Sequence, residues 1–360
     1  LLDSFGRFVT SLETMRIGVV GAGVVGLATA ASLVRSGVEV VCFERSAVVM
    51  GERSAGTSRI FRLAHVDADL VRLAAAAREG FARWGTAMVD PVGCVVSGGD
   101  AAERAAAMTA AGAACELREA ASTDLRLPVV GPVAGPVLVD PSGGVVDVDA
   151  VRALLVGIAG HTVVHEQVDG LDGTAVRAGG ATHRFDAVVL AAGADTAAVA
   201  AHVGVDLPST LEHHARFTFP LLDPPEAARR PAWIDSPASG LRTYQHRSGP
   251  GRWSVGGTLD AATVAWDIGA EAATQASREA VLEYARERLA VAPRVVETLY
   301  CTHAPDTGDG ITFARSGSVL AVWGENLMKF VPVLGEALAA AAVDGSTPSV
   351  RGLSAALAEA

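Results

Sequence analysis

Residues 16–45 read RIGVVGAGVVGLATAASLVRSGVEVVCFER, and this stretch decides the fold. Ile17 to Val20 is an apolar run with the length of a buried parallel strand. Gly21-Ala22-Gly23-Val24-Val25-Gly26 follows, then a helical segment with Leu27, Ala31 and Val34 on one face. A second apolar strand, Val38 to Phe43, ends at Glu44. In such a strand–turn–helix–strand unit the glycines give the tight turn, close backbone approach to a pyrophosphate and close helix–strand packing. The helix N-terminus adds unpaired N–H groups and partial positive charge for phosphates. Glu44, 18 residues after Gly26, stands where a carboxylate accepts from a ribose 2′-hydroxyl, which disfavours a 2′-phosphate. The unit predicts a site for FAD or NAD, with Gly21, Gly23, Gly26, Glu44 and the adjoining Arg45 at the nucleotide.

The whole chain is long enough, at 360 residues and 50% hydrophobic, for two domains or one large interleaved one. A net charge of −11 argues against nucleic acid or an anionic membrane as partner. The four cysteines show no C-x-x-C pair and no metal-ligand spacing. Cys42 and Cys94 lie in apolar strand-like runs, where a buried, inert thiol is expected. These features predict a reduced, cytoplasmic protein that holds no metal. Residues 1–14 lack the apolar core of a signal peptide and read as an extension ahead of Met15 or of a start at Met15. Of the 29 basic residues, Lys329 is the one lysine. Arginine replaces lysine on a surface but not where a compact point charge is required, so Lys329 is marked for attention.

Along the chain, Asp67 to Trp84 has helical spacing at Leu70, Leu73, Ala77, Phe81 and Trp84. Ala101 to Ala114 reads as a helix, and the proline-rich Leu127 to Pro141 as a loop and edge strand. Val151, Leu154, Leu155 and Ile158 share a helix face. Asp186 to Gly193 is a buried strand ending in small residues, which suits close passage of backbone by a nucleotide. From about Leu211 to Val264 the segments alternate in polarity, Ala215 to Leu221 among them, and predict an antiparallel sheet. A helix over 271–289 closes that region.

Three distant pieces laid together resemble the monomeric sarcosine oxidase family of FAD-dependent amine oxidases, within the D-amino-acid-oxidase-like group. They are the glycine fingerprint with Gly56-Thr57-Ser58-Arg59-Ile60-Phe61-Arg62; Gly143-Gly144-Val145-Val146-Asp147 with Val188 to Gly193; and Cys301 followed 28 residues later by Lys329-Phe330. The resemblance implies an α/β fold. A Rossmann-like FAD-binding domain of glutathione-reductase type (15–90, 142–210 and 296–360) would receive an inserted antiparallel-sheet substrate domain (91–141 and 211–295). It implies that Arg62 and Lys329 converge on a substrate carboxylate, the first as a planar fork and the second as a point charge. It places Arg59 over the flavin or, alternatively, in structural hydrogen bonds to loop carbonyls. Ser58 and Gly193 fall beside the cofactor, and Cys301 where relatives carry FAD through a thioether. His303 either polarises the substrate or packs, and Tyr244 and His246 are the candidates on the substrate sheet.

The sequence departs from the family in two places. The glycine-rich segment before the lysine is Trp323-Gly324-Glu325-Asn326-Leu327-Met328 here, implying an altered flavin edge or pocket. The loop that bears an oxygen-activating lysine in relatives aligns near Arg252-Trp253-Ser254, leaving Arg252 as its stand-in. The expectation is a monomeric oxidase acting on a secondary or cyclic amino acid, with O2 as acceptor and H2O2 as product. The alternatives are an amino-acid dehydrogenase with another acceptor, a flavin hydroxylase, and a non-catalytic nucleotide-binding protein.

Overall fold

The computed structural model describes residues 15–86, 88–222, 229–305 and 310–359; the extension 1–14 lies outside them. The run that opens the fingerprint forms the strand Arg16–Val20 inside a six-stranded sheet. Its neighbours are Glu39–Phe43 and Ala187–Leu190, both parallel to it. The sheet continues to the short Val163–Val164 on one side and to Val319–Gly324 on the other, and ends in an antiparallel hairpin with Ile311–Ser316. The helix Val24–Arg35 packs on the helices Val148–Ala159 and Val331–Asp344. The last contact is close: a Cβ on Gly335 would stand 2.8 Å from the Cβ of Ala28.

Two fingerprint glycines are sterically required. Gly21 has φ +100°, and a Cβ there would meet the Ala191 carbonyl oxygen at 2.5 Å. A Cβ on Gly26 would lie 1.8 Å from the Gly21 carbonyl oxygen. Turn and helix can therefore meet the strand ends only with both side chains absent.

A larger, eight-stranded sheet stands beside the first. Its order is Glu297–His303, Glu212–Pro220, Arg252–Thr258, Arg242–Arg247, Ala232–Ser236, Cys94–Gly98, Val137–Asp140, Glu116–Arg118. The pairs are antiparallel except that Ala232–Ser236 runs parallel to Cys94–Gly98, where the sequence predicts antiparallel segments alone. Two-residue alternation gives the sheet two faces. One presents Ala215, Phe217, Phe219, Trp233, Trp253 and Val255 to Val281, Tyr284 and Ala285 of the helix Ala270–Arg288. The other presents His214, Arg216, Tyr244, His246, Leu299 and Cys301 to a cavity.

Several local expectations are corrected. Val137–Asp140 is paired on both sides, and the edge strand is Glu116–Arg118. Glu297–His303, placed from sequence with the nucleotide unit, pairs with Glu212–Pro220 in the large sheet. Val163–Val164 joins the nucleotide sheet, and Val168–Asp172 opens a separate antiparallel meander. Among the described residues no helix is long and apolar enough to cross a membrane.

Candidate active site

A cavity of about 710 Å³ runs from the fingerprint to the inner face of the large sheet. At the fingerprint end Gly21, Gly23, Glu44, Arg45 and Gly193 line it. The Glu44 carboxylate accepts from Ala22 N at 2.8 Å and Ser46 N at 2.9 Å, one bond per oxygen. Each oxygen keeps a further lone pair for a hydroxyl donor. Arg45 is held by Glu52 and Asp195, each at 2.6 Å, so its charge is largely neutralised within the wall. Gly26 acts one layer back, against Gly21. The missing side chains at Gly21 and Gly23, the helix N-terminus and the positioned carboxylate fit the adenosine and pyrophosphate half of FAD.

A three-stranded sheet delivers the arginines to the other end. Gly144–Asp147 is flanked by Ser58–Phe61 and Val89–Asp90. Arg59 lines the cavity, its guanidinium donating to the carbonyls of Ser58 (2.9 Å), Arg53 (3.2 Å) and Ala55. Burial and the neighbouring Arg216 push its pKa down to about 10. Ser58 does not line the cavity; its hydroxyl bonds to that of Ser248 at 3.2 Å. Arg62 is buried at the cavity wall and donates to the Ala64 carbonyl. Asp140 fixes that segment by accepting from Leu63 N (2.6 Å), Ala64 N (3.3 Å), Ser142 N (3.0 Å) and Gly143 N (3.1 Å).

Lys329, buried in the turn Leu327–Phe330, lines the same cavity with its ammonium 5.4 Å from the Phe330 ring centre. That turn packs on the strand Ser58–Phe61. The charges of Arg62, Arg104 and Lys329 all reach the Cys94 thiol, whose pKa burial raises to about 12. Arg62 and Lys329, 267 positions apart, therefore share one corner. Glu325, Leu327 and Met328, the bulky departures in this segment, are also on the wall.

Cys301 lies on the inner face of the large sheet, opposite His214 in register. Burial raises its pKa, while Arg59, Arg216 and Arg53 pull it down. Tyr244 and His214 are bonded at 2.9 Å. Burial raises the Tyr244 hydroxyl to about 12 and lowers the His214 imidazole to about 4, the latter helped by His303, Arg216 and Arg59. His246 donates from Nδ1 to the Arg247 carbonyl (2.9 Å) and accepts at Nε2 from Arg216 Nη1 (2.8 Å). Burial, then Arg216, holds it well below its ordinary pKa. His303 turns Nδ1 toward Glu325 Oε2 at 3.4 Å. Glu325 also pairs with Arg53 and accepts from Ala304 N at 2.8 Å.

Arg252 is exposed and does not line the cavity, so it does not stand in for the relatives' lysine. The cation on this face is Arg216, with His214 beside it. Both stand on one face of the strand Glu212–Pro220, a face the sequence does not mark as the inner one.

A family model described as FAD dependent oxidoreductase (DAO) matches residues 16–341. No curated protein sequence matches the chain. Among solved structures, NikD, an unusual amino acid oxidase essential for nikkomycin biosynthesis, is similar in its open form at 22% identity and TM-score 0.80, over 94% of this chain and 97% of that one. Iminodiacetate oxidase from Chelativorans sp. BNC1 is 19% identical with TM-score 0.72, over 93% and 96%. Glycine oxidase from Geobacillus kaustophilus is 18% identical with TM-score 0.69, over 92% and 96%. At these identities the likeness establishes the fold. The family match over nine-tenths of the chain, on a Rossmann-type sheet whose fingerprint opens into one long cavity, makes this protein a member of the FAD dependent oxidoreductase family.

Proposed function

We propose that the protein oxidises the C–N bond of an amino acid, a secondary or cyclic amine of the sarcosine or pipecolate kind, and passes the electrons to O2. The observation that carries this is the meeting of Arg62 and Lys329 at one corner of a cavity whose far end is the nucleotide fingerprint. Two buried cations at an apolar wall fit a carboxylate, Arg62 by its fork and Lys329 as a point charge. FAD, when bound, accepts a hydride equivalent from the carbon next to nitrogen and returns two electrons to the acceptor. The chain's task is orientation, which in favourable cases removes about 7–11 kcal/mol of a barrier. Arg62 and Lys329 hold the carboxylate, Tyr244 borders the amine, and the sheet keeps water out. The imine product hydrolyses in solvent. The neighbours named as oxidases of amino acids and of iminodiacetate support this reading by their folds and names alone.

Cys301 is proposed to carry FAD through a thioether to the 8α-methyl carbon. Such a bond would form with loss of the thiol proton and one methyl hydrogen, and the two electrons released would pass to O2 as peroxide. Burial raises the pKa of this thiol, and Arg59, Arg216 and Arg53 offset part of that rise, the direction the required thiolate needs. An acid-precipitated pellet of the purified protein is expected to stay yellow, and that of Cys301→Ser to be colourless. A colourless wild-type pellet removes the thioether from the reading.

Sarcosine, proline, pipecolate and N-methyl amino acids, added anaerobically, are the substrates to test. Failure of all of them to bleach the flavin would count against the amine reading itself. The second reading, a dehydrogenase with another acceptor, is favoured by the position of Arg252 outside the cavity; Arg59 and Arg216 are the fixed positive charges on the large-sheet side for an oxygen step. Reoxidation in air on the timescale of turnover supports the oxidase; much slower reoxidation assigns a dehydrogenase.

A further inference from the structure

An amino-acid substrate reaches the site with a proton it must lose. Aliphatic amines have pKa values near 10, so at neutral pH the nitrogen is an ammonium without the lone pair that makes its neighbouring carbon a hydride donor. Resting on the amine reading above, we propose that His303, held by Glu325, accepts that proton.

The cavity wall carries carboxylates, Glu212 among them, and several imidazoles, one of which offers a partly exposed ring. Arg62 and Lys329 are donors. His246 has both ring nitrogens occupied, by the Arg247 carbonyl and Arg216. His214 Nε2 is bonded to Tyr244, whose raised pKa shows that the hydroxyl keeps its own proton. Cys301 is committed to the thioether under the reading above. Glu325 is buried between Arg53, the Ala304 amide and His303. His303 is different: its side chain is 37% exposed, it lines the cavity, and Nδ1 faces the Glu325 carboxylate at 3.4 Å. A carboxylate at Nδ1 selects the Nδ1–H tautomer and turns the Nε2 lone pair away from it. Among the described residues Nε2 has no hydrogen-bond partner.

The charges around the ring suit a base that stays neutral until needed. Burial and Arg53 lower its pKa. Glu325, on the loop after Val319–Gly324, lies within ion-pair reach of Nδ1 and favours the imidazolium once it forms. The His214 ring is 6.1 Å away and neutral at working pH, and Cys301 and Arg59 lie beyond it. In the step, one ammonium N–H bond breaks and its proton moves to Nε2. The electron pair remains on the amine nitrogen, and the Nδ1 proton stays on the ring, facing Glu325. The imidazolium then discharges its proton to solvent through its exposed edge. Glu325 is a positioning residue in this scheme.

The test uses the flavoprotein with the amine that bleaches it and with methylthioacetate, which keeps the carboxylate and replaces the amine by a thioether. Anaerobic bleaching rate over amine Kd, plotted against pH, is expected to fall tenfold per unit on the acid side in wild type. His303→Asn should displace that limb upward toward the amine's own pKa near 10 and lower the neutral-pH value by about 10²–10⁴-fold. Added imidazole should restore part of it, and methylthioacetate affinity should stay within about twofold. Glu325→Gln should move the acid limb to lower pH. An acid limb unchanged in His303→Asn overturns the proposal, as does a parallel loss of methylthioacetate affinity, which would mean a collapsed pocket. If no amine bleaches wild type, it is the amine reading that fails. Bleaching by an amine in both proteins with the same pH profile defeats this inference alone.

Discussion

Tyr244 owes its place to a side chain that is absent one strand away. It pairs with Gly256, and a Cβ there would stand 2.2 Å from the tyrosine Cζ and 2.4 Å from its hydroxyl. Gly256→Ala is therefore expected to push the ring off its seat and break the bond to His214. The cost is about 1–3 kcal/mol of stability by overpacking, measured by urea denaturation, with a fall in kcat/KM that exceeds the change in flavin content. Arg62→Ala and Lys329→Ala each remove one charge-assisted contact to the proposed carboxylate, worth about 1.5–3 kcal/mol. A rise in KM of about 10- to 100-fold in each, measured by steady-state kinetics, is the expected result; unchanged KM in both would remove them from the carboxylate. At this scale the sequence was uneven. Glycine identity exposes a turn because backbone sterics are local, so Gly21 and Gly26 were readable. Ser58 and Arg45 were not, because nothing local says that Ser248, Glu52 and Asp195 will come to meet them.

The strand Glu212–Pro220 shows what an element can hide. Its apolar alternation becomes visible only at Ala215, so a reading by hydropathy starts the strand three residues late and leaves His214 outside it. Arg216 lay within the predicted strand, yet nothing in the strand tells which of its faces turns toward a cofactor. That face is decided by the helix Ala270–Arg288, which claims the opposite side. Beneath the sheet that helix also closes a polar network. Tyr284 donates to Asp235 (2.7 Å) and accepts from Gln245 (2.9 Å), which accepts from Trp253 Nε1 (2.8 Å). Ser97 links Asp235 to Trp233. Because every member is satisfied, the network locks four strands in register. Tyr284→Phe strands buried partners on both sides and is expected to cost about 1–3 kcal/mol. Denaturant midpoints check this, and flavin binding and substrate KM should be nearly unchanged, since the network lies on the face away from the cavity.

Over the whole molecule, the buried imidazoles make stability depend on pH. Above pH 6.5, His214 is neutral in the folded and unfolded chains alike. Between 6.5 and about 4 only the unfolded chain takes up the proton, so stability falls as the solution is acidified and levels off below about 4. For His214 alone this is on the order of 3 kcal/mol, and His246 adds in the same direction. Denaturation midpoints at pH 7 and 4.5 should differ accordingly, and His214→Gln should narrow the gap. The nucleotide sheet and its fingerprint could be foreseen from a local pattern, whereas the cavity is made by strands that meet from both ends of the chain. That is why resemblance to a family, rather than periodicity, brought Arg62, Cys301 and Lys329 together. The burial of Lys329 also determines how the protein meets electrophiles. With Lys329 4% exposed, the one lysine of the sequence is withdrawn from acylating metabolites and ubiquitin-type ligases. An amine-acylating reagent should leave Lys329 unmodified in the native protein and modify it only after unfolding, as read by peptide mass mapping.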